Sequence, residues 1–293
     1  MMRASLGLVL ACANAGESAA DESHIRALVE ALDSPLHERR TEAREELLLL
    51  GEPARAILEP LRGQGSFARC AAIDYVLERA FSPPAFVPIP GGRVELGSDD
   101  PADGNPRRTV LLERFEIGAR EVTRLEYRRF LRASGGPDPL GWLEGVYPFG
   151  TDALPVAGIT FEQASRCAAF YGGRLPTADE WELAARGTDM RPFPWGDTFV
   201  PGRANLPTPA GREGPRPVGS FPGDSSPFGV LDMAGNVREW VADTSTHPPR
   251  PASKGGFYAG RKDLAARLSF RAVAVSADAA LPDLGFRILR GKR

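Results

Sequence analysis

The sequence predicts an α+β protein in two parts: a short all-α segment, then a larger, irregular, loop-rich mixed domain. Three observations carry this reading. Only Pro35, Pro53 and Pro60 precede residue 83, and the other 24 of the 27 prolines lie from Pro83 onward. Proline removes a backbone donor and clashes inside helices, so residues 22–81 can be helical and most of the remainder cannot. Apolar residues recur at helical spacing early in the chain, whereas later short strand-like runs alternate with Gly- and Pro-rich turns. The third is length: 293 residues, 42% of them hydrophobic, can bury two cores.

Residues 1–20, "MMRASLGLVLACANAGESAA", read as a leader: Arg3, an apolar run from Leu6 to Ala11, then small residues. "VLAC" is similar to a bacterial lipoprotein processing site, with Cys12 as the acylated residue, and "ANA" at 13–15 offers ordinary cleavage instead. Export to the periplasm or a lipid-anchored place on a membrane is the expected localisation; otherwise the chain is cytoplasmic. Residues 21–82 hold four expected helices. Ile25, Leu28, Val29 and Leu32 form the first stripe, and Leu36, Ala43, Leu47 and Leu50 the second, closed by Gly51. Pro53 opens a third helix with Ile57, Leu58 and Leu61, and Ala68–Phe81 supplies a fourth. Short antiparallel helices of this kind resemble HEAT repeats, with a plain four-helix bundle as the rival.

"SPPAFVPIPGG" at 82–92 is the linker into residues 83–293. Three helices are expected there. The first spans "EVTRLEYRRFLRASG", with Val122, Leu125, Phe130 and Leu131 in near-helical register. The others are "TFEQASRCAAFYGG" and "TADEWELAARG", the last with a Thr177/Glu180 capping box and Gly187 as its stop.

A net charge of -2 supplies no field for nucleic acid, so no nucleic-acid partner is expected. Cys12, Cys70 and Cys167, and His24, His37 and His247, are scattered without metal-type spacing, which argues against an imidazole metal centre. No P-loop, dinucleotide fingerprint or nucleophile elbow occurs. The serines of "PGDSSPFG" lack a nearby histidine and read as turn residues. The basic residues Arg261, Lys262 and Arg267 are candidates for an anionic-ligand cleft or for the solvated face of a strand.

Two blocks are too particular for composition to explain: "YGGRLPTADEWELAARG" with "PFPWGD" after it, and "FGVLDMAGNVREWVAD". With "EVTRLEYRRF", "PVAGITFEQA", "KGGF" and "LGFR", in this order from Phe86 to Arg290, they resemble the formylglycine-generating enzyme, or sulfatase-modifying factor, family. The resemblance implies a loop-rich variant of the C-type-lectin-like α+β fold. In that setting Trp181, Trp195 and Trp240 are apolar anchors whose ring N–H groups need acceptors. Arg174, Arg271 and Arg287 offer planar forks to loop carboxylates or carbonyls.

The resemblance also implies calcium, a possible cofactor here. Its ligands would be the side chains of Asp232 and Glu239 with the carbonyls of Gly235 and Val237. The rival reading has both carboxylates accepting N–H bonds without a metal. A second calcium site would begin at Asn205 and Leu206, but the loop after them lacks the expected aspartate.

Catalytic members of the family carry two cysteines shortly after the paired glycines, where they bind copper and activate oxygen. A soft thiolate pair is what holds Cu(I). Here Gly260 and Ala265 stand at those positions, and the last cysteine in the chain is Cys167, on an expected helix face. Copper is therefore not expected. The branch of the family that binds non-haem iron through three histidines is not matched by His24 and His37 either. The function expected is a non-catalytic binding or scaffold module taking a protein or glycan ligand at the cell envelope. The alternative is a formylglycine-generating oxidase, or another maturation enzyme using Tyr258, Arg261 and Asp263.

Overall fold

The computed structural model describes residues 22–50, 52–80, 84–143, 147–148, 150–207, 214–260 and 266–291. The chain divides into two compact units, Met1–Pro83 and Pro84–Arg293. The expected leader, Cys12, Arg261, Lys262, Asp263 and Ala265 lie outside the described residues.

The first unit is all helical: α1 (residues 22–31), α2 (His37–Leu50), α3 (Glu52–Leu58), a 3₁₀ turn at Glu59–Leu61, and α4 (Phe67–Ala80). Ile25 and Val29 of α1 are buried, as is Leu32 just beyond it, together with Leu58 of α3 and Ile73 and Val76 of α4. The α2 stripe differs from expectation. Leu36 precedes the helix and is 58% exposed, and the buried positions are Ala43, Leu47 and Leu48. Helical periodicity cannot reach a residue outside the helix, and Leu48 completes the i, i+4, i+5 face in place of Leu50. Ser66 and Arg69 both donate to the Asp33 carboxylate, at 2.5 and 3.0 Å, tying the end of α1 to the start of α4.

The second unit is a mixed α+β domain of short strands and long loops. β1 (Phe86–Ile89) and β4 (Phe115–Gly118) pair antiparallel, and β9 (Leu289–Arg290) joins the other edge of β4. β2 (Gly92–Leu96) and β3 (Arg108–Leu112) form a separate antiparallel pair. A four-stranded sheet has the order β7 (Val273–Ala274), β6 (Arg250–Lys254), β5 (Arg238–Asp243), β8 (Leu284–Gly285), with β5 and β8 parallel. Of the basic run after Lys254, the described residues 266–272, Arg267 among them, lie in turns and irregular backbone.

Helices α5 (Arg124–Ser134), α6 (Phe161–Phe170) and α7 (Ala178–Arg186) start alike. Thr123, Thr160 and Thr177 are N-caps, each forming a capping box with Glu126, Gln163 and Glu180, so that orphan N–H groups are satisfied reciprocally. Val122 therefore lies before the α5 cap and not on the helix, although it is buried.

Strand alternation on β5 distributes two large groups. Trp240 goes to a core with Tyr127, Ile159 and Phe286, while Glu239 meets Trp181, whose ring belongs to a second core with Leu183, Val230 and Met233. Two glycines allow this packing. Gly255 has φ +87°, and a Cβ there would lie 3.1 Å from the Trp181 ring. At Gly285 a Cβ would lie 2.5 Å from the Val156 carbonyl oxygen.

Candidate functional site

The centre of the second unit is a buried ion pair. Arg287 donates from Nε to Glu239 Oε2 at 2.6 Å and from Nη2 to Oε1 at 2.7 Å. It also reaches the carbonyls of Gly118 and Leu231, each at 3.0 Å. Trp181 Nε1 donates to Glu239 Oε2 at 2.9 Å, so both carboxylate oxygens have donors. Glu239 and Arg287 are each 0% exposed. A charge buried this fully is tolerated because it is paired and bonded on every side.

Beside the pair lies an acidic corner. Asp224 accepts the Ala234 N–H through both oxygens, at 2.9 and 3.1 Å. Burial, reinforced by the charge of Asp232, pushes its carboxyl from 3.8 to about 8. Glu121 accepts from Asn236 Nδ2 at 3.1 Å, and burial followed by the charge of Asp232 pushes it well above the carboxylate range. Asp232, raised chiefly by burial, accepts the Gly219 N–H at 2.5 Å. Asp232 and Asn236 both have left-handed backbones, with φ +58° and +69°, residue types that tolerate the conformation.

This corner contains the two segments expected to bind calcium. They are tied directly to each other: Asn236 N–H donates to the Asn205 carbonyl at 2.9 Å, and Asn205 Nδ2 to Asn236 Oδ1 at 3.0 Å. Leu206 turns back by donating its N–H to the Ala204 carbonyl at 3.0 Å. Gly235 packs against Asn205, and Val237 is buried. An ion coordinated by Glu239 would have to compete with Arg287 and Trp181. Among the described residues, no three acidic, His or Cys side chains gather in a metal-ligating group.

The loop after the paired glycines closes on itself. Gly260 N–H donates to the Phe257 carbonyl at 2.9 Å, and Tyr258 N–H to the Asn236 carbonyl at 3.0 Å. The Phe257 ring lies under Arg238, 5.0 Å from its guanidinium carbon, and Arg238 is held by Asp283. A Cβ on Gly260 would lie 3.0 Å from Cε1 of that ring, tighter than ordinary contact. The aromatic thus occupies the space that a side chain at 260 would need. Cys167 is on α6, fully buried, and burial pushes its thiol well up, leaving it inert as a nucleophile.

The other expected anchors divide. Arg174 is a bidentate fork on Glu180, at 2.7 and 2.8 Å, and Trp240 donates to the Ile159 carbonyl at 3.0 Å. Trp195 stacks on Phe193 with centroids 5.5 Å apart and donates to the Thr198 carbonyl. Arg271 departs from expectation. Its backbone N–H donates to the Asp103 carbonyl at 2.9 Å, but its exposed guanidinium has no hydrogen-bond partner among the described residues.

That guanidinium lines a polar cavity of about 500 Å³ between α7, β6 and the segment 104–108. Lys254, only 4% exposed, donates to Glu182 Oε2 at 3.0 Å and to the Phe270 carbonyl at 2.9 Å. Glu182 also accepts from Gly97, Asn105 and Arg186. Burial alone would raise its carboxyl, but Lys254 and these donors outweigh it and hold the group below its usual value. On the rim, Arg108 pairs with Asp179, and Arg250 Nε with Asp243 at 3.0 Å. Sequence inspection passed over Glu182, Asp179 and Arg108, because the Gly97–Glu182 and Asn105–Glu182 bonds join residues 85 and 77 positions apart.

Comparison with known proteins fits this architecture. The family profile of the sulfatase-modifying factor enzyme 1-like domain matches residues 75–292. The chain belongs to that family. It is 31% identical to the mouse inactive C-alpha-formylglycine-generating enzyme 2, over 70% of this chain and 85% of that one. The bovine formylglycine-generating enzyme is 29% identical, covering 70% of this chain and 75% of its own length. Two solved structures share the fold. CarF has 22% identity and a TM-score of 0.53, over 72% of this chain and 99% of its own. Treponema denticola variable protein 1 has 21% identity and a TM-score of 0.54, over 70% and 94%. In this chain "DMAGNVREW", "KGGF" and "LGFR" supply Glu239, Gly255 and Arg287, which meet at one buried joint around Trp181.

Replacing Arg287 by Met leaves Glu239 buried and uncompensated, and the expected loss is about 3–5 kcal/mol in denaturant unfolding. Adding Glu239→Gln should recover part of it, because the charge goes and Trp181 keeps an acceptor; a loss below about 1 kcal/mol would show that the pair is not needed. The acidic corner sets a pH dependence. Above about pH 4 the unfolded chain releases the Asp224 proton, which the folded chain holds up to about 8. Stability from this group therefore falls as pH rises between those values. The denaturant midpoint should drop from pH 5 to pH 8, and Asp224→Asn should flatten the drop.

Proposed function

We propose that this protein is a non-catalytic binding module of the sulfatase-modifying factor family, acting at the cell envelope. One observation carries the reading: no cysteine follows Cys167, so the thiolate pair that would hold copper is missing. Its first position, Gly260, is closed over by the Phe257 ring. Function is set by the site and not by the fold, and a lectin-like scaffold that has lost its chemistry still presents re-specifiable loop surfaces. The similarity to a mouse protein named as inactive is in keeping with this. The ligand class is a protein or a glycan, and attachment to the envelope runs through acylated Cys12.

Incubation of the purified protein with copper and a Cys-x-Pro-x-Arg peptide should leave the cysteine mass unchanged; a mass loss matching aldehyde formation overturns the reading. Fatty-acid labelling in bacterial cells should mark the wild-type chain and not Cys12→Ser. Equal labelling, or none in either, removes the anchor.

A further inference from the structure

The cavity beside Lys254 carries a surplus of positive charge. Among the described residues that line it, the cations Arg108, Arg250, Lys254 and Arg271 face the carboxylates of Asp179, Glu182 and Asp243, which leaves one positive charge over. The excess is localised. Three cations are paired, whereas the Arg271 guanidinium is exposed and meets no acceptor among the described residues. Its stem is laid against Gly104, where a Cβ would lie 2.9 Å from Arg271 Cδ. Arg250 engages Asp243 through Nε alone, and it too is exposed. Lys254 spends two of its three donors, on Glu182 and Phe270. The floor is rigid, because Glu182 is bonded by four separate groups.

The same lining restricts the ligand. A planar guanidinium that is already desolvated along its stem suits a carboxylate, which it can grip with two parallel N–H bonds. A dianionic phosphate is disfavoured, since three carboxylates stand around a surplus of a single charge. Asp179, Asp243, Thr244 and Ser245 on the wall are acceptors or hydroxyls, which favour a ligand bringing its own hydroxyl donors. About 500 Å³ lies within the roughly 300–1,000 Å³ of small-molecule sites.

We propose that this cavity binds a small hydroxylated carboxylate with a single negative charge, the chemistry of a uronic acid, with Arg271 as the carboxylate clamp. The inference rests on reading the domain as a binding module and names the chemistry of its ligand.

Titration calorimetry of the full chain with D-glucuronate tests it, with D-glucose and an N-acetylated glutamate peptide as comparison probes. Saturable glucuronate binding is expected, with no measurable binding of glucose. Arg271→Ala should weaken it about tenfold or more, the scale of lost charge-assisted hydrogen bonds, without shifting Tm. Arg271→Lys, which keeps the charge and loses the fork, should fall between. Absence of saturable glucuronate binding by folded protein overturns the proposal. So does equal affinity for glucose, indifference to Arg271→Ala, or tighter binding of the acidic peptide. The readout is separate from the peptide oxidation assay. Failure here with an unmodified cysteine peptide removes the uronate site and leaves the non-catalytic reading standing, whereas aldehyde formation overturns the non-catalytic reading whatever the calorimetry shows.

Discussion

The second unit depends on one interaction, the pairing of Glu239 with Arg287 beneath the Trp181 ring nitrogen. The three residues come from β5, from the segment after β8, and from α7, and Arg287 extends the joint to the carbonyls of Gly118 and Leu231. A domain whose strands are as short as two residues has few ladder hydrogen bonds with which to hold its loops. A buried charge constrains geometry more strongly than an apolar contact, because any displacement leaves it unpaired in a medium of low polarity. Breaking the pair from one side is therefore costly, because the remaining charge is left buried and uncompensated.

Two charged constellations among the described residues of the domain differ in how far their groups are satisfied. In the acidic corner Asp224, Asp232 and Glu121 are buried and turned toward backbone N–H groups, Asn236 or each other, and burial raises the carboxyls of all three. These bonds join the segments around Asp224, Asp232 and Glu121 to one another. The cavity beside Lys254 has the opposite character: a fully bonded floor in Glu182 and an open wall in which Arg271 meets solvent. Binding costs less where the site is preorganised, and four hydrogen bonds hold Glu182 in place.

The loop after the paired glycines is held by contacts of its own. Gly255 turns with a positive φ over Trp181, and Tyr258 N–H meets the Asn236 carbonyl. Phe257 packs against Gly260 and lies under Arg238, itself clamped by Asp283.

Much of this was legible in the sequence, for identifiable reasons. The division into a helical and a mixed part follows from proline placement. The start and stop of α7 follow from Thr177, Glu180 and Gly187, since capping is chemistry between near neighbours. The missing cysteines are a matter of composition alone. Tertiary structure decided the rest. Glu239 is expected from its motif as a calcium ligand or a hydrogen-bonded corner, yet its partner is Arg287, 48 positions away. Arg271 is expected as a structural fork like Arg174 and Arg287, and instead its guanidinium meets no acceptor among the described residues. Local sequence determines which hydrogen bonds a segment can make with its own backbone, but the partner of a charged side chain is set by which distant segments the fold brings within about 3 Å.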